Sequence, residues 1–84
     1  MSQARRLELD QPAQYTIQVQ GRLSDHWLST LAPLAVTVDL DEYETTVTTL
    51  RVAVLDQAAL QGLLRTLYSL GLPLVSVRLE KSDL

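Results

Sequence analysis

The sequence contains no cysteine and no phenylalanine, and among its 84 residues it has a single tryptophan, a single histidine and a single methionine. Without cysteine there can be no disulfide and no thiolate metal ligand, so a transition-metal site would have to rely on carboxylates. Because aromatic side chains are scarce, we expect a hydrophobic core of mainly leucine and valine. Neither a cofactor nor a metal is expected.

A basic excess is also lacking, since seven Lys and Arg residues stand against ten Asp and Glu residues and the pI is about 4.8. Nucleic-acid-binding domains normally present a basic face, so nucleic acid is not an expected partner. The apolar runs are too short to cross a bilayer, and no apolar segment follows Arg5 and Arg6. We therefore expect neither a membrane span nor a signal peptide, and a cytoplasmic location fits this composition.

The most regular pattern lies between Val54 and Val77. Asp56 is suited to cap a helix, because its carboxylate can accept hydrogen bonds from backbone N–H groups of the first turn. Gly71 can adopt the left-handed conformation after the last turn, and Pro73 cannot continue a helix. Leucines at helical spacing form one apolar face: Leu60, Leu63, Leu64 and Leu67. The segment predicts an amphipathic helix.

A strand is predicted after this helix, because Val75, Val77 and Leu79 alternate with polar residues. Earlier in the chain the sequence predicts two strands around a two-turn helix that begins after Ser24, and then a third strand. The predicted strands before the long helix run from Tyr15 to about Gly21, from Leu34 to Leu40 and from Thr45 to Leu55.

The order strand, helix, strand, strand, helix, strand predicts an α+β fold of the ferredoxin-like type. Such a fold has a four-stranded antiparallel sheet, here with one short and one long helix on one face. We expect one domain over residues 15–80, a flexible N-terminal tail at 1–14 and a C-terminal tail at 81–84. Leu7 and Leu9 alternate weakly with charged residues, so a short extra strand in this segment is an alternative to the tail.

The sheet face without helices is predicted to be polar, and it is either solvent-exposed or a binding or dimer surface. An RNA-reading sheet would need stacked aromatic residues there, and none is expected. Sheet edges are the other candidate surface, because pairing in a homodimer satisfies an open edge. The predicted open face comprises Thr16, Gln18, Gln20, Thr37, Asp39, Thr49, Arg51, Ala53, Ser76 and Arg78.

Catalytic and metal-binding patterns are weak. Ser24, Asp25 and His26 have the residue types of a catalytic triad, but neighbours on a helix point about 100° apart and cannot form the relay. The acidic group around Asp39 to Glu44, which includes Asp41 and Glu42, lacks the spacing and glycine of an EF-hand. We interpret it as a hairpin turn, and we expect no enzymatic activity.

Two residues remain less well explained. Trp27 is interpreted as filling the space between the short helix and the sheet, with an exposed interface role as the alternative. Gly62 lies near the solvent side of the long helix, where glycine is unfavourable. A partner approaching there would explain it, as would simple tolerance, so the possible interface comprises Gln61, Gly62, Arg65 and Trp27.

The segments Asp56–Leu60, Gly62–Leu64 and Leu70–Val77 resemble the ending DQAALHGLL…LGLPLLSV of a family of small uncharacterised bacterial proteins. Gly21 and Trp27 match the beginning of that family, whereas Gln61 stands where it commonly has histidine. The resemblance implies a bacterial, cytoplasmic, stand-alone domain and carries no catalytic residue. The inferred topology is also similar to that of ACT-type regulatory domains, which pair their sheets and bind small effectors at the interface.

Two functions are therefore expected. The first is a non-catalytic, self-associating interaction or regulatory domain that pairs through a sheet edge or through the helix that bears Gly62. The second is an ACT-like sensor that binds an amino acid or a similar metabolite at a dimer interface. A homodimer is expected in both cases, with an unidentified protein or metabolite as a further partner.

Overall fold

The structure, a computed structural model, describes residues 10–82. The possible extra strand at Leu7 and Leu9 and most of the predicted N-terminal tail lie outside these residues. The six elements are β1 (Ala13–Gln20), α1 (Asp25–Leu31), β2 (Ala35–Leu40), β3 (Thr46–Val54), α2 (Gln57–Ser69) and β4 (Leu74–Ser82).

The strands form one antiparallel sheet in the order β2-β3-β1-β4. This order and the two helices confirm the predicted α+β, ferredoxin-like fold. The strand β1 begins at Ala13, inside the predicted tail, and β4 continues to Ser82, beyond the predicted end of the domain. The bounds of β2 and β3 differ from prediction by one residue. Within residues 10–82 the outer strands of the sheet are β2 and β4, and each pairs with one neighbouring strand.

The hydrophobic core lies over the two central strands. Alternate residues of β1 are buried, and the long helix contributes Leu60 and Leu67 from above. The mainly aliphatic core confirms what the shortage of aromatic residues predicted. Its members are Ala13, Tyr15, Ile17, Val19, Leu50, Val52, Val54, Leu60 and Leu67.

Both ends of α2 have the predicted caps. The carboxylate of Asp56 accepts a hydrogen bond of 2.7 Å from the backbone N–H of Ala59. After the helix, Gly71 has a φ of 78° and donates to the carbonyl of Tyr68, while the N–H of Leu72 donates to the carbonyl of Leu67. These two bonds form a Schellman motif, which ends the helix and turns the chain into β4.

The short helix α1 is attached more loosely. Ser24 caps it as predicted, accepting a bond of 3.3 Å from the N–H of Trp27, but no residue of α1 is fully buried. The helix ends at Ala32, which adopts the left-handed conformation with a φ of 47°. Leu28 and Leu31 pack against the core as half-buried residues. Because α1 has only seven residues, it covers little of the sheet.

The acidic segment between β2 and β3 is the predicted hairpin turn. Oδ1 of Asp41 accepts hydrogen bonds from the backbone N–H groups of Tyr43 at 2.8 Å and Thr45 at 2.9 Å. Glu44, at a φ of 62°, supplies the left-handed residue of the turn. The Asp41 carboxylate therefore holds the turn by binding backbone groups.

Candidate functional site

The outer strand β4 exposes apolar side chains between Leu74 and Leu79. None of its side chains between Leu74 and Glu80 is fully buried, whereas the central strands β1 and β3 supply most of the core. Four large apolar residues of β4 are exposed: Leu74, Val75, Val77 and Leu79. An exposed edge strand with apolar side chains is a template for pairing with another chain.

The side chains of β4 alternate regularly between the two faces of the sheet, except at two irregularities in the pairing with β1. Opposite β1 the register shifts once beside Leu74 and Ser76, which leaves Val75 as an extra residue, and once beside Leu79 and Lys81, which leaves Glu80. Val77 lies opposite Ile17, and Leu79 lies opposite Tyr15, so these two side chains are on the helix-bearing face. Val75 was predicted to share that face, and this prediction is wrong, because the extra residue takes Val75 out of phase and it lines the open face.

A shallow apolar groove of about 240 Å³ adjoins the beginning of β4. It lies at the end of α2 and is lined by Tyr68, Gly71, Leu72 and Pro73. Tyr68 is 83% exposed, and the next residue along the chain from Pro73 is the exposed Leu74. The apolar surface of the edge therefore continues onto the last turn of the long helix.

The opposite edge, β2, is shorter and has fewer exposed large apolar residues, two against four. It has six residues, and Asp39 lies among them on the open face. Among the helix-side residues of β2, Val38 and Leu40 are exposed, while Val36 is half-buried. The core-facing alternation predicted for this strand is present in phase, but α1 does not cover it.

The open face is polar, as predicted, and its side chains are hydrogen-bonded to one another. The Gln18 side chain donates to the Thr49 hydroxyl at 3.3 Å and accepts from the Ser76 hydroxyl at 2.8 Å. These three residues lie on three neighbouring strands, β3, β1 and β4. Their side-chain groups already have partners within the chain.

Arg78 and Glu80 form an ion pair on β4, with Nε 2.9 Å from the carboxylate Oε2. Hydrogen bonding from Arg78 lowers the pKa of Glu80, and the Thr16 hydroxyl and the charge of Arg51 lower it further. The guanidinium of Arg78 is largely exposed. This pair therefore places one charge of each sign on the free edge of the sheet.

A second cleft, of about 280 Å³, lies on the open face at the end of the sheet where β4 begins. It is lined by side chains from all four strands, including Gln18, Asp39 and Val75. Its polar groups are amides, carboxylates and one hydroxyl, with no cationic side chain in the lining. The cleft reaches β4 through Val75, so it lies beside the free edge.

The structure places the predicted interface residues on both helices. Gln61 and Arg65 are exposed on α2, and Gly62 lies between them. Apart from the neighbouring residues and the backbone of its own helix, a methyl group added at Gly62 would meet no atom of residues 10–82 within 4 Å. Trp27 is half-buried on α1, with its ring edge-to-face against His26 at 5.5 Å, and it is not among the half-buried apolar residues that pack on the core. Its role in filling the space between α1 and the sheet stays a prediction.

Ser24, His26 and Asp41 have the positions that local structure predicts for them. The Ser24 hydroxyl caps α1, His26 is exposed and contacts Trp27, and Asp41 holds the hairpin turn. In the described part of the chain, histidine and acidic side chains do not gather in groups of three or more that would suit a metal ion. Among residues 10–82, neither helix has the length and apolar character needed to cross a bilayer.

The β4 edge was not among the predicted interface residues, although sheet edges were named as candidates. The predicted topology already contained the signal, since the last strand of this fold lies at the edge of the sheet. What alternation alone did not show is how little of β4 the helices cover.

Comparison with known proteins gives a family without an assigned activity. No curated protein and no solved structure matches the chain. A family model described as "Domain of unknown function (DUF8691)" matches residues 14–78, from the second residue of β1 to the middle of β4. The chain therefore belongs to the DUF8691 family of domains of unknown function.

Proposed function

We propose that this protein is a non-catalytic interaction domain that self-associates through the free edge of β4. The observation that supports this proposal is the length and composition of that edge. The strand has nine residues, and four large apolar side chains between Leu74 and Leu79 are exposed. Natural edge strands are usually short, charged or covered. This strand carries the charged pair Arg78 and Glu80, but its length and its four exposed apolar side chains favour a partner.

Pairing through β4 would satisfy two kinds of group at once. The backbone N–H and C=O groups on the free side of the strand gain partners, and the apolar side chains leave water. A second copy pairing antiparallel would extend the sheet from four strands to eight. Val77 and Leu79 of both copies would then form one apolar strip on the helix-bearing face, between the two α2 helices.

The helix surface predicted from the sequence is a weaker candidate. Its exposed residues Gln61 and Arg65 are polar, and the open space beside Gly62 shows only that no atom of this chain occupies it. The cores of interfaces are enriched in apolar side chains, of which β4 exposes four and the surface of Gln61, Gly62 and Arg65 exposes none. That composition favours β4.

The test uses two valines in matched positions. Val77 on β4 is 37% exposed and Val38 on β2 is 38% exposed, and both lie on the helix-bearing face of an outer strand. Lysine on an edge strand opposes pairing, because its charge would have to be desolvated. We expect Val77→Lys to be monomeric and Val38→Lys to associate like the wild type, as measured by light scattering on a sizing column.

Circular dichroism of both variants provides the control for folding. Dissociation of Val38→Lys with retention of the Val77→Lys dimer would assign the interface to β2 and overturn the proposal. A dimer that survives both substitutions would overturn edge pairing.

The open-face cleft favours a second candidate, a sensor of small metabolites. The cleft reaches Val75 on β4, so a ligand bound there would lie beside the proposed interface. A ligand that binds the native state raises the unfolding temperature by mass action. A thermal-shift screen with amino acids and related metabolites tests this candidate, and a flat screen at millimolar ligand would contradict it. A bacterial origin and a cytoplasmic location remain predictions of the resemblance described above.

A further inference from the structure

The ion pair on β4 constrains how two copies would meet, given the edge pairing proposed above. Arg78 and Glu80 are two residues apart on the same face of a free edge, with opposite charges in contact. A two-fold symmetric interface brings the same surface of each copy together. When β4 pairs with β4 of a second copy, the register of the two strands therefore determines which residue of the second copy lies opposite Arg78 and which lies opposite Glu80.

Only a few alignments keep the two helix layers on one side of the extended sheet. Side chains directly opposite each other in an antiparallel pair point to the same face, so helix-side residues must oppose helix-side residues. The alternation is regular from Ser76 to Leu79, with Val77 and Leu79 on the helix side. Glu80 is the extra residue of the second irregularity, and its contact with Arg78 places its carboxylate on the open face. A two-fold axis beside any one residue from Ser76 to Glu80 satisfies this condition.

Charge distinguishes the alignments. An axis beside Arg78 opposes the two Arg78 side chains, and an axis beside Glu80 opposes the two Glu80 side chains, which is unfavourable. An axis beside Ser76 or Val77 leaves Arg78 opposite an uncharged residue. An axis beside Leu79 places Arg78 of each copy opposite Glu80 of the other, on the open face.

We propose that β4 pairs with β4 of a second copy about an axis beside Leu79, with two reciprocal Arg78–Glu80 pairs between the copies. The two Leu79 side chains meet at the centre on the helix-bearing face. The ion pair within each chain places both charged groups on the face where the pairs between chains form. The partner of this edge is thus a second copy of the same chain, and the charges set its register.

Two charge-reversal variants test the register. Glu80→Arg carries two arginines on the edge, and Arg78→Glu carries two glutamates. Each variant alone opposes like charges, so we expect its dimer dissociation constant to rise by roughly ten-fold or more at low salt. An equimolar mixture restores opposite charges across the axis. We expect this mixture to form a heterodimer over the same protein concentrations at which the wild type forms its homodimer. The loss of the pair within each chain cannot produce this preference for the mixture.

Two further variants separate the alignments and provide the matched control. The double exchange Arg78→Glu/Glu80→Arg should form a homodimer as the wild type does, measured by sedimentation equilibrium. Arg78→Ser should weaken the dimer, whereas an axis beside Arg78 would make the same change strengthen it, and strengthening would overturn the proposed register.

The failure of this inference can be distinguished from failure of the proposed function. A wild-type monomer would overturn edge pairing itself. A wild-type dimer that Val77→Lys dissociates, but whose charge variants show no preference for the mixture, would retain edge pairing and overturn the register.

Discussion

Replacing Gly62 with alanine distinguishes the two surfaces that the sequence left open, the sheet edge and the long helix. Gly62 lies inside α2, without a left-handed backbone conformation, and an added methyl group would meet no atom within 4 Å. The substitution therefore costs nothing in packing within one chain. It also restricts the unfolded chain, which favours the native helix.

The expected gain follows from helix propensity. Glycine in a helix interior is less favourable than alanine by about 0.5–1 kcal/mol. For a domain of this size, 1 kcal/mol corresponds to about 4–8 °C in unfolding temperature, so we expect Gly62→Ala to unfold about 2–8 °C higher. Gln61→Ala is the matched control, because Gln61 is exposed beside it and glutamine is close to alanine in helix propensity.

Thermal unfolding should be followed by circular dichroism at several protein concentrations, because a dimer's unfolding temperature depends on concentration. If β4 is the interface, the gain is present at every concentration and the dimer dissociation constant is unchanged. A variant that is no more stable, or whose dimer is weaker than that of Gln61→Ala, would refute this reasoning. A weakened dimer would place a partner's backbone against Gly62.

Two further substitutions test local backbone conformation. Ala32→Gly should raise the free energy of unfolding in urea by about 0.5–1 kcal/mol, because alanine at a φ of 47° is strained and glycine is not; a destabilised variant would contradict this. Asp41→Ala should lower it by about 1 kcal/mol, since it removes the acceptor of two backbone hydrogen bonds in the hairpin turn. Asp41→Asn retains an acceptor oxygen and should retain most of the stability, and equal losses in both variants would show that these bonds contribute little.

Much of the fold could be predicted because its signals are local. The cap at Asp56, the glycine end of α2 at Gly71 and the alternation in β1 each depend on a few neighbouring residues. The order of the elements then left few topologies, because connections in such sheets are short and right-handed. The acidic segment was identified as a turn for the same reason, since Asp41 binds backbone groups within four residues.

Exposure of the outer strands could not be predicted in the same way. Alternation shows which side chains share a face, but whether that face is buried depends on where the helices lie above the sheet. Here α1 has seven residues with none buried, and the core stays over β1 and β3. The extra residue at Val75 is a second non-local effect, because it arises from pairing with β1. The first effect exposes both outer strands and the second changes β4 alone, so alternation in the sequence could not show the surface of the candidate interface.

The most direct test of association through β4 is the molar mass of the unmodified chain in solution. Sedimentation equilibrium from low to high micromolar concentration measures it without immobilisation or labels. We predict that the weight-average mass rises from 9.4 kDa towards twice that value and that Val77→Lys abolishes the rise. A constant mass of 9.4 kDa over the whole range would contradict self-association and with it the proposed function.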